Sequence, residues 1–310
     1  ADAIVDRRRA VERCMTAEVI NGHEVAAQFR AELASRIAVL RRAGVTPGLA
    51  VVLVGNNAAS VSYVRGKTRA AAELEILSES VRPDPDISQA DLLNLVNQLN
   101  ADDRFHGIIV QLPLPDGIDE RAITAAVDPR KDVDGLHPIN LGRLLRGDGR
   151  LLPCTPAGVR ELLVRSGHGP DGRHVVICGR SNLVGKPLAA ILLQKQTGAN
   201  ATITVCHTGT PDLGAVTRLG DILVVATGRA NMITADMVRP GAVVVDVGVN
   251  RVSDASRKSG YRLVGDVDFE SVSRVARAIT PVPGGVGPMT VTMLLVNTVL
   301  AAEASSLRYT

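Results

Sequence analysis

The stretch CGRSNLVGKP, residues 178–187, follows an apolar run and opens a helical pattern, the context in which a pyrophosphate sits at a helix N-terminus. Its glycines, Gly179 and Gly185, do not keep the G-x-G-x-x-G spacing, so a purely structural turn is the alternative. Arg180 and Ser181 favour the ligand, since both are good phosphate donors. The next strand pattern ends in CHTGT. A fold selective for NAD carries a carboxylate there for the ribose 2′-hydroxyl, whereas this chain has His207, Thr208 and Thr210 and no acid before Asp212. That substitution points to NADP. Residues 280–291, TPVPGGVGPMTV, are stiff and lie open to a ligand approaching bare backbone.

Two further groups carry chemistry-bearing residues. Tyr63 and Lys67, in SYVRGK, share one helix face a turn apart, in a chain with three Tyr, three Phe and no Trp. Taken alone, that pair also fits a solvated lysine whose stem lies on the ring. KDVDGLHP, residues 131–138, sets Asp132 and Asp134 ahead of a Gly turn. It lacks the further oxygens of a calcium loop, so on spacing alone these are turn acids.

The elements that must position these groups read as α/β. Val25, Phe29, Leu33, Ile37 and Leu40 recur at helical spacing, and Gly44 closes that helix. GLAVVLVG (48–55) reads as a buried strand and residues 60–74 as a helix. Ser88 and Asp91 look like a capping box before the next helix, and GIIVQLPLP (107–115) is a strand stopped by Pro113 and Pro115. Strand, helix, strand, helix, strand within about 70 residues is a parallel unit. Near residues 153–156 the pattern restarts. Strands are expected at 174–179, 201–206, 221–227 and 242–248, with a helix at 185–196, as a Rossmann-type domain. A last helix is expected from Met289 to Ala302. With so few aromatics the core must be Val, Leu, Ile and Ala, which suits helices on a buried parallel sheet.

Composition excludes several classes. The chain has 310 residues, 45% hydrophobic and 22% charged, which is ordinary for globular proteins. A net charge of +3 is too balanced to argue for nucleic acid, and there is no long basic run. The four cysteines show no C-x-x-C spacing, against a zinc site, a redox pair or a secreted disulfide framework. No apolar run reaches the length expected to span a membrane. The arginines of residues 1–14 suggest targeting, but Asp2, Asp6 and Glu12 argue against it. That segment reads as a non-native or dispensable extension, and the expected location is cytoplasmic.

Taken in order, GNNAASVSYVRGK, GIIVQLPLP, KDVDGLHPIN, PCTP, GRSNLVGKP, CHTGT and PVPGGVGPMTV resemble the motifs of the bifunctional methylenetetrahydrofolate dehydrogenase/cyclohydrolase family, over nearly all of residues 15–302. The resemblance implies two α/β domains around a cleft. Residues 15–152 would form the folate domain, joined by 289–310, with the last helix packing back on it; residues 153–288 would form the NAD(P)-binding domain. It implies oxidation of methylenetetrahydrofolate with NADP, then hydrolysis of the methenyl product to 10-formyltetrahydrofolate, by a homodimer without a metal. Lys67 takes the catalytic lysine's place, Tyr63 that of the stacking tyrosine, and Gln111 that of the glutamine bonded to the lysine. Asp134 matches the carboxylate that holds the pterin, with Pro283 and Gly285 on the substrate side. The implied cofactor set is Gly179, Arg180, Ser181, Val184, Gly185, His207, Thr208, Thr227, Gly228, Val247, Gly248 and Thr290. Glu75 stands where members commonly have Gly, which should touch only a helix end.

This chemistry suits these residues. Adding water to the methenyl carbon needs a base, and the cationic substrate and desolvation both favour a neutral amine. Lys67 is therefore expected to act as that amine, oriented by Gln111, which accepts a hydrogen bond without adding charge. Tyr63 offers a stacking face. Asp134 can accept two hydrogen bonds from a pterin donor edge.

Overall fold

The computed structural model describes residues 17–257 and 260–306. The extension expected at residues 1–14 lies outside them. The chain divides into two compact units, one holding residues up to His23 together with Val159–Gly287, the other Glu24–Gly158 together with Pro288 onward.

The second of these units is a three-stranded parallel sheet with helices. Helix α1 (Gly22–Arg42) leads into β2 (Gly48–Val52), α2 (Ala58–Glu73), β3 (Leu77–Val81), α3 (Gln89–Ala101) and β4 (Gly107–Val110). The strand order is β3-β2-β4. Central β2 is buried at every position, as a strand covered on both faces must be. Ser88 caps α3 by accepting from Asp91 N–H at 3.1 Å; its hydroxyl donates to the Asp91 carboxylate at 2.7 Å, so the reciprocal half of a capping box is replaced by a side-chain bond. The strand expected to run to residue 115 stops at Val110. Gln111 N–H still donates to Val52 O at 2.9 Å, but Pro113 has no N–H to continue the ladder.

Helices α4 (Glu120–Ala126) and α5 (Pro138–Arg146) follow, α6 (Cys154–Arg165) belongs to this unit only as far as Gly158, and α10 (Val286–Ser306) completes the unit from Pro288 onward. Helix α10 starts three residues before the expected Met289. Pro288 lies in its first turn, where a missing N–H costs no intrahelical bond. By length and composition α10 would also suffice to cross a membrane, contrary to the sequence expectation, with mean hydropathy 1.4 over its apolar window. Yet 61% of that window is buried inside the protein, and Arg36 grips Glu303 on it through bonds of 2.9 and 2.7 Å. A helix apolar all round is here a core helix.

The other unit carries a six-stranded parallel sheet. Its elements are β5 (His174–Cys178), α7 (Gly185–Leu192), β6 (Thr202–Cys206), α8 (Leu213–Thr217), β7 (Ile222–Val225), β8 (Val243–Asp246), a hairpin of β9 (Asn250–Ser253) and β10 (Tyr261–Val264), α9 (Phe269–Val272) and β11 (Ala278–Ile279). The chain steps from β5 out to β6, then returns to β7 on the far side of β5. That reversal is the switch point at which open α/β sheets bind ligands, beyond the strands' carboxyl ends. Strand β1 (Glu18–Val19) pairs with β11 and completes the order β1-β11-β8-β7-β5-β6; residues 17–23, expected with the folate domain, are grouped with this unit. Backbone bonds draw them there: Glu18 N–H to Arg277 O and Ile20 N–H to Ile279 O, both 2.9 Å.

Candidate active site

Helix α2 presents Lys67, 8% exposed, and one turn earlier Tyr63, 49% exposed. Lys67 Nζ donates to Gln111 Oε1 at 3.0 Å. Gln111 is placed by the end of β4, and its Nε2 donates to Leu112 O at 2.7 Å, which turns the amide oxygen toward the lysine. Asp134 lies within electrostatic reach of Lys67. Burial pushes its carboxyl up; the Lys67 charge opposes this, Asp132 adds to it, and the Cys154 thiol opposes it by a hydrogen bond. Burial, then the neighbouring Asp134, also keeps Cys154 protonated, and its thiol donates to Val133 O at 3.2 Å. Asp132 does turn work: it accepts from Leu136 N–H at 3.2 Å, and from His137 N–H and Asn140 Nδ2 at 2.8 Å each.

Asn297 was not singled out by the sequence. It is 4% exposed on α10, and its Nδ2 donates to Val133 O and Leu152 O, both at 2.8 Å, with Cys154 Sγ 3.7 Å away. One amide thus ties together the backbone on which Asp134 and Cys154 ride. The available signal was an amide inside the apolar run MLLVNTVLAA. Thr290, alone of the residues expected to bind the cofactor, also belongs to this unit, its hydroxyl 3.0 Å from that of Thr155.

Those others gather at the carboxyl ends of the strands of the six-stranded sheet. Gly179, after β5, has φ +133°, and a Cβ there would meet Ala226 O at 2.2 Å. A Cβ on Gly185 would meet Gly179 O at 2.0 Å, so the first turn of α7 packs directly on the strand end. Ser181 Oγ accepts from Val184 N–H at 3.1 Å, Arg180 is exposed, and Val184 gives α7 no side-chain cap, which leaves the helix start suited to an anion. After β6, Gly209 N–H donates to His207 Nδ1 at 3.0 Å, and Thr208 is exposed. Asp212 is engaged as the cap of α8, accepting from Ala215 N–H at 2.9 Å. The acid of the loop after β6 is thus engaged at the start of α8 rather than standing at the strand end. Thr227 and Gly228 follow β7, and Val247 and Gly248 follow β8. Pro283 and Gly285 lie in the loop before α10 and belong to this unit, whereas Lys67, Gln111 and Asp134 belong to the other.

The family model described as tetrahydrofolate dehydrogenase/cyclohydrolase, catalytic domain, matches residues 20–134, and the NAD(P)-binding domain of the same family matches residues 153–306. This chain belongs to the tetrahydrofolate dehydrogenase/cyclohydrolase family. A bifunctional protein FolD of Syntrophus aciditrophicus is 55% identical over 292 residues, covering 94% of this chain and 99% of the relative. The crystal structure of the Campylobacter jejuni FolD methylenetetrahydrofolate dehydrogenase/cyclohydrolase superposes with TM-score 0.87 at 46% identity, covering 93% and 99% of the two chains. The Trypanosoma brucei enzyme, solved with NADP cofactor and an inhibitor, gives TM-score 0.88 at 41% identity, covering 93% and 98%. The catalytic-domain match spans Tyr63, Lys67, Gln111 and Asp134, and the NAD(P)-binding match spans the loops after β5, β6, β7 and β8. The family resemblance read from the motifs thus holds over both units. The departure at Glu75 has a structural cost: its φ is +55°, a left-handed conformation that suits Gly, at the end of α2.

Proposed function

We propose that this protein oxidises 5,10-methylenetetrahydrofolate to 5,10-methenyltetrahydrofolate with NADP and hydrolyses the product to 10-formyltetrahydrofolate. The observation that carries the reading is the buried Lys67 amine bonded to a neutral amide oxygen, with the Asp134 carboxyl in its field. Family membership supports it.

The roles follow from the chemistry. Tyr63 stacks on the substrate's ring system, and Asp134 accepts from the pterin's donor edge. Pro283 and Gly285 offer backbone that a flat ligand can approach closely. NADP, when bound, supplies the acceptor for the hydride lost by the methylene carbon. Gly179, Arg180, Ser181, Val184 and Gly185 hold its phosphates, with His207, Thr208, Thr227, Gly228, Val247, Gly248 and Thr290 completing its site. The glycine cradle and the uncapped start of α7 fit such a group. In the second step Lys67 takes a proton from water as its oxygen bonds to the methenyl carbon. The new hydroxyl then gives up its proton as one carbon–nitrogen bond of the bridge opens, the departing nitrogen takes up the proton held by Lys67, and the formyl group is left on the other nitrogen. The reading includes a homodimer in the cytoplasm that binds neither membrane nor nucleic acid, and the near-balanced charge of +3 supports the last of these.

The test follows methenyl absorbance with NADP and NAD in parallel, in the wild type and in Lys67→Met. Methenyl formation and decay in the wild type, with decay lost and oxidation damaged in Lys67→Met, is the expected result. Both activities surviving the substitution would overturn the role of Lys67. Light scattering checks the dimer.

A further inference from the structure

Two buried carboxylates have no part in the chemistry above. Asp246, at the end of β8, is 3% exposed, and Asp266, just after β10, is 0% exposed. Acids so placed must have their oxygens satisfied, and what satisfies them here is chiefly backbone from two loops. Asp266 Oδ2 accepts from Thr227 N–H at 2.6 Å and Gly228 N–H at 2.8 Å, and its Oδ1 accepts from Asn250 Nδ2 at 2.8 Å. Asp246 Oδ1 accepts from Gly248 N–H at 2.9 Å and from Asp266 N–H at 3.0 Å, while its Oδ2 accepts from Val267 N–H at 2.9 Å.

These bonds form a continuous chain. The loop after β7 hangs on the Asp266 carboxylate, the Asp266 backbone hangs on the Asp246 carboxylate, and the same carboxylate holds the loop after β8. The packing leaves no slack: a Cβ on Gly248 would lie 2.1 Å from Asp266 Oδ1, and one on Gly265 would lie 1.8 Å from Asp246 Oδ2. The amide N–H groups of Thr227 and Gly228 point inward to Asp266. These two residues are thus left to meet a ligand with carbonyl oxygens and side chains rather than with N–H donors.

We propose that Asp266, seated by Asp246, is a positioning residue for the cofactor: it fixes the loops after β7 and β8 in the shape that receives NADP without touching NADP itself. The proposal rests on the reading of those loops as part of the NADP site. The hydrolytic step uses no NADP, so it provides an internal control.

The experiment uses the full chain with Asp266→Ala and Asp266→Asn. NADP affinity is measured by calorimetry on the enzyme alone, and both activities are assayed. In Asp266→Ala the Kd and KM for NADP are expected to rise about tenfold or more, with hydrolysis of methenyltetrahydrofolate within about twofold of wild type. In Asp266→Asn one oxygen can still face Thr227 and Gly228 while Asn250 turns its own amide oxygen to the new NH2, so most of the affinity should return. Wild-type affinity in Asp266→Ala, no recovery in Asp266→Asn, or equal loss of both activities would overturn the positioning role. If Asp266→Ala does not fold, Asp266→Asn beside Asn250→Ala decides: Asn250→Ala should raise the KM for NADP severalfold with hydrolysis intact, and no change in it overturns the proposal. A wild-type enzyme that binds no NADP would instead remove the cofactor reading itself.

Discussion

Gln111 shows Lys67 its oxygen, not its nitrogen: Nζ donates to Oε1 over 3.0 Å while Nε2 donates to Leu112 O over 2.7 Å. The lysine's immediate partner is therefore an acceptor without charge. Gln111→Glu places a carboxylate there, which favours the ammonium form of the lysine. Hydrolysis at neutral pH should slow severalfold, because a lysine that already carries the proton cannot take one from water. Unchanged hydrolysis kinetics, followed by methenyl absorbance, would count against the amine as base.

Asn297 satisfies two buried carbonyls on the segments that carry Asp134 and Cys154. Asn297→Ala leaves Val133 O and Leu152 O without this donor, and an unpaired buried group costs about 1–3 kcal/mol. We expect a thermal midpoint lower by several degrees and a raised KM for the folate substrate. A variant that melts and binds folate like the wild type would show that other groups satisfy those carbonyls.

Asp134 and Asp246 set a pH dependence of stability with a definite sign. Burial raises both carboxyls, Asp246 from 3.8 to about 6. A carboxyl raised on folding stabilises fully below its unfolded value of about 3.9, and that contribution is lost as pH rises through the folded value. Every tenfold gain in proton affinity on folding corresponds to about 1.4 kcal/mol. In Asp134→Asn the titrating group is gone, so the melting temperature relative to wild type should climb as pH rises from about 4 upward. Calorimetric melts across that range check it, and a difference that is flat or falls with pH would refute it.

Glu75 holds a φ of +55°, which costs an L-residue about 1–2 kcal/mol. Its carboxylate pairs with Arg41, but both side chains are largely exposed, and such pairs contribute little. Glu75→Gly should therefore stabilise by about 1 kcal/mol with both activities unchanged, as read from denaturant midpoints. A lower midpoint would mean that the ion pair outweighs the strain.

What the sequence made legible was whatever a run of residues encodes locally. GLAVV and ILVV announced themselves because strands covered on both faces must be apolar throughout. Strand β3, LSESV, did not, since it lies at a sheet edge, is largely exposed, and shows no apolar run. The two-residue strands β1 and β11 are too short to leave a pattern, so neither the pairing of Glu18 and Val19 nor its partner strand could be read from the sequence. Lys67 and Gln111 could be paired from motifs. Asn297 could not, because its partners lie 164 and 145 residues away and are backbone carbonyls with no side-chain identity to read. Asp266 was hidden for the same reason: its importance lies in amides that only the folded loops bring to it.

The unit built around β2 is closed by α10, which a ribosome delivers only after every strand of the six-stranded sheet. Until Asn297 and Glu303 emerge, Val133 O, Leu152 O and Arg36 wait without these partners, while the sheet, complete through β11, is already available to form. The nucleotide-fold half can therefore finish first, while the half bearing the lysine waits for α10. A nascent chain released shortly before residue 286 would carry a finished sheet joined to an apolar, unsealed neighbour, the kind of species that chaperones retain.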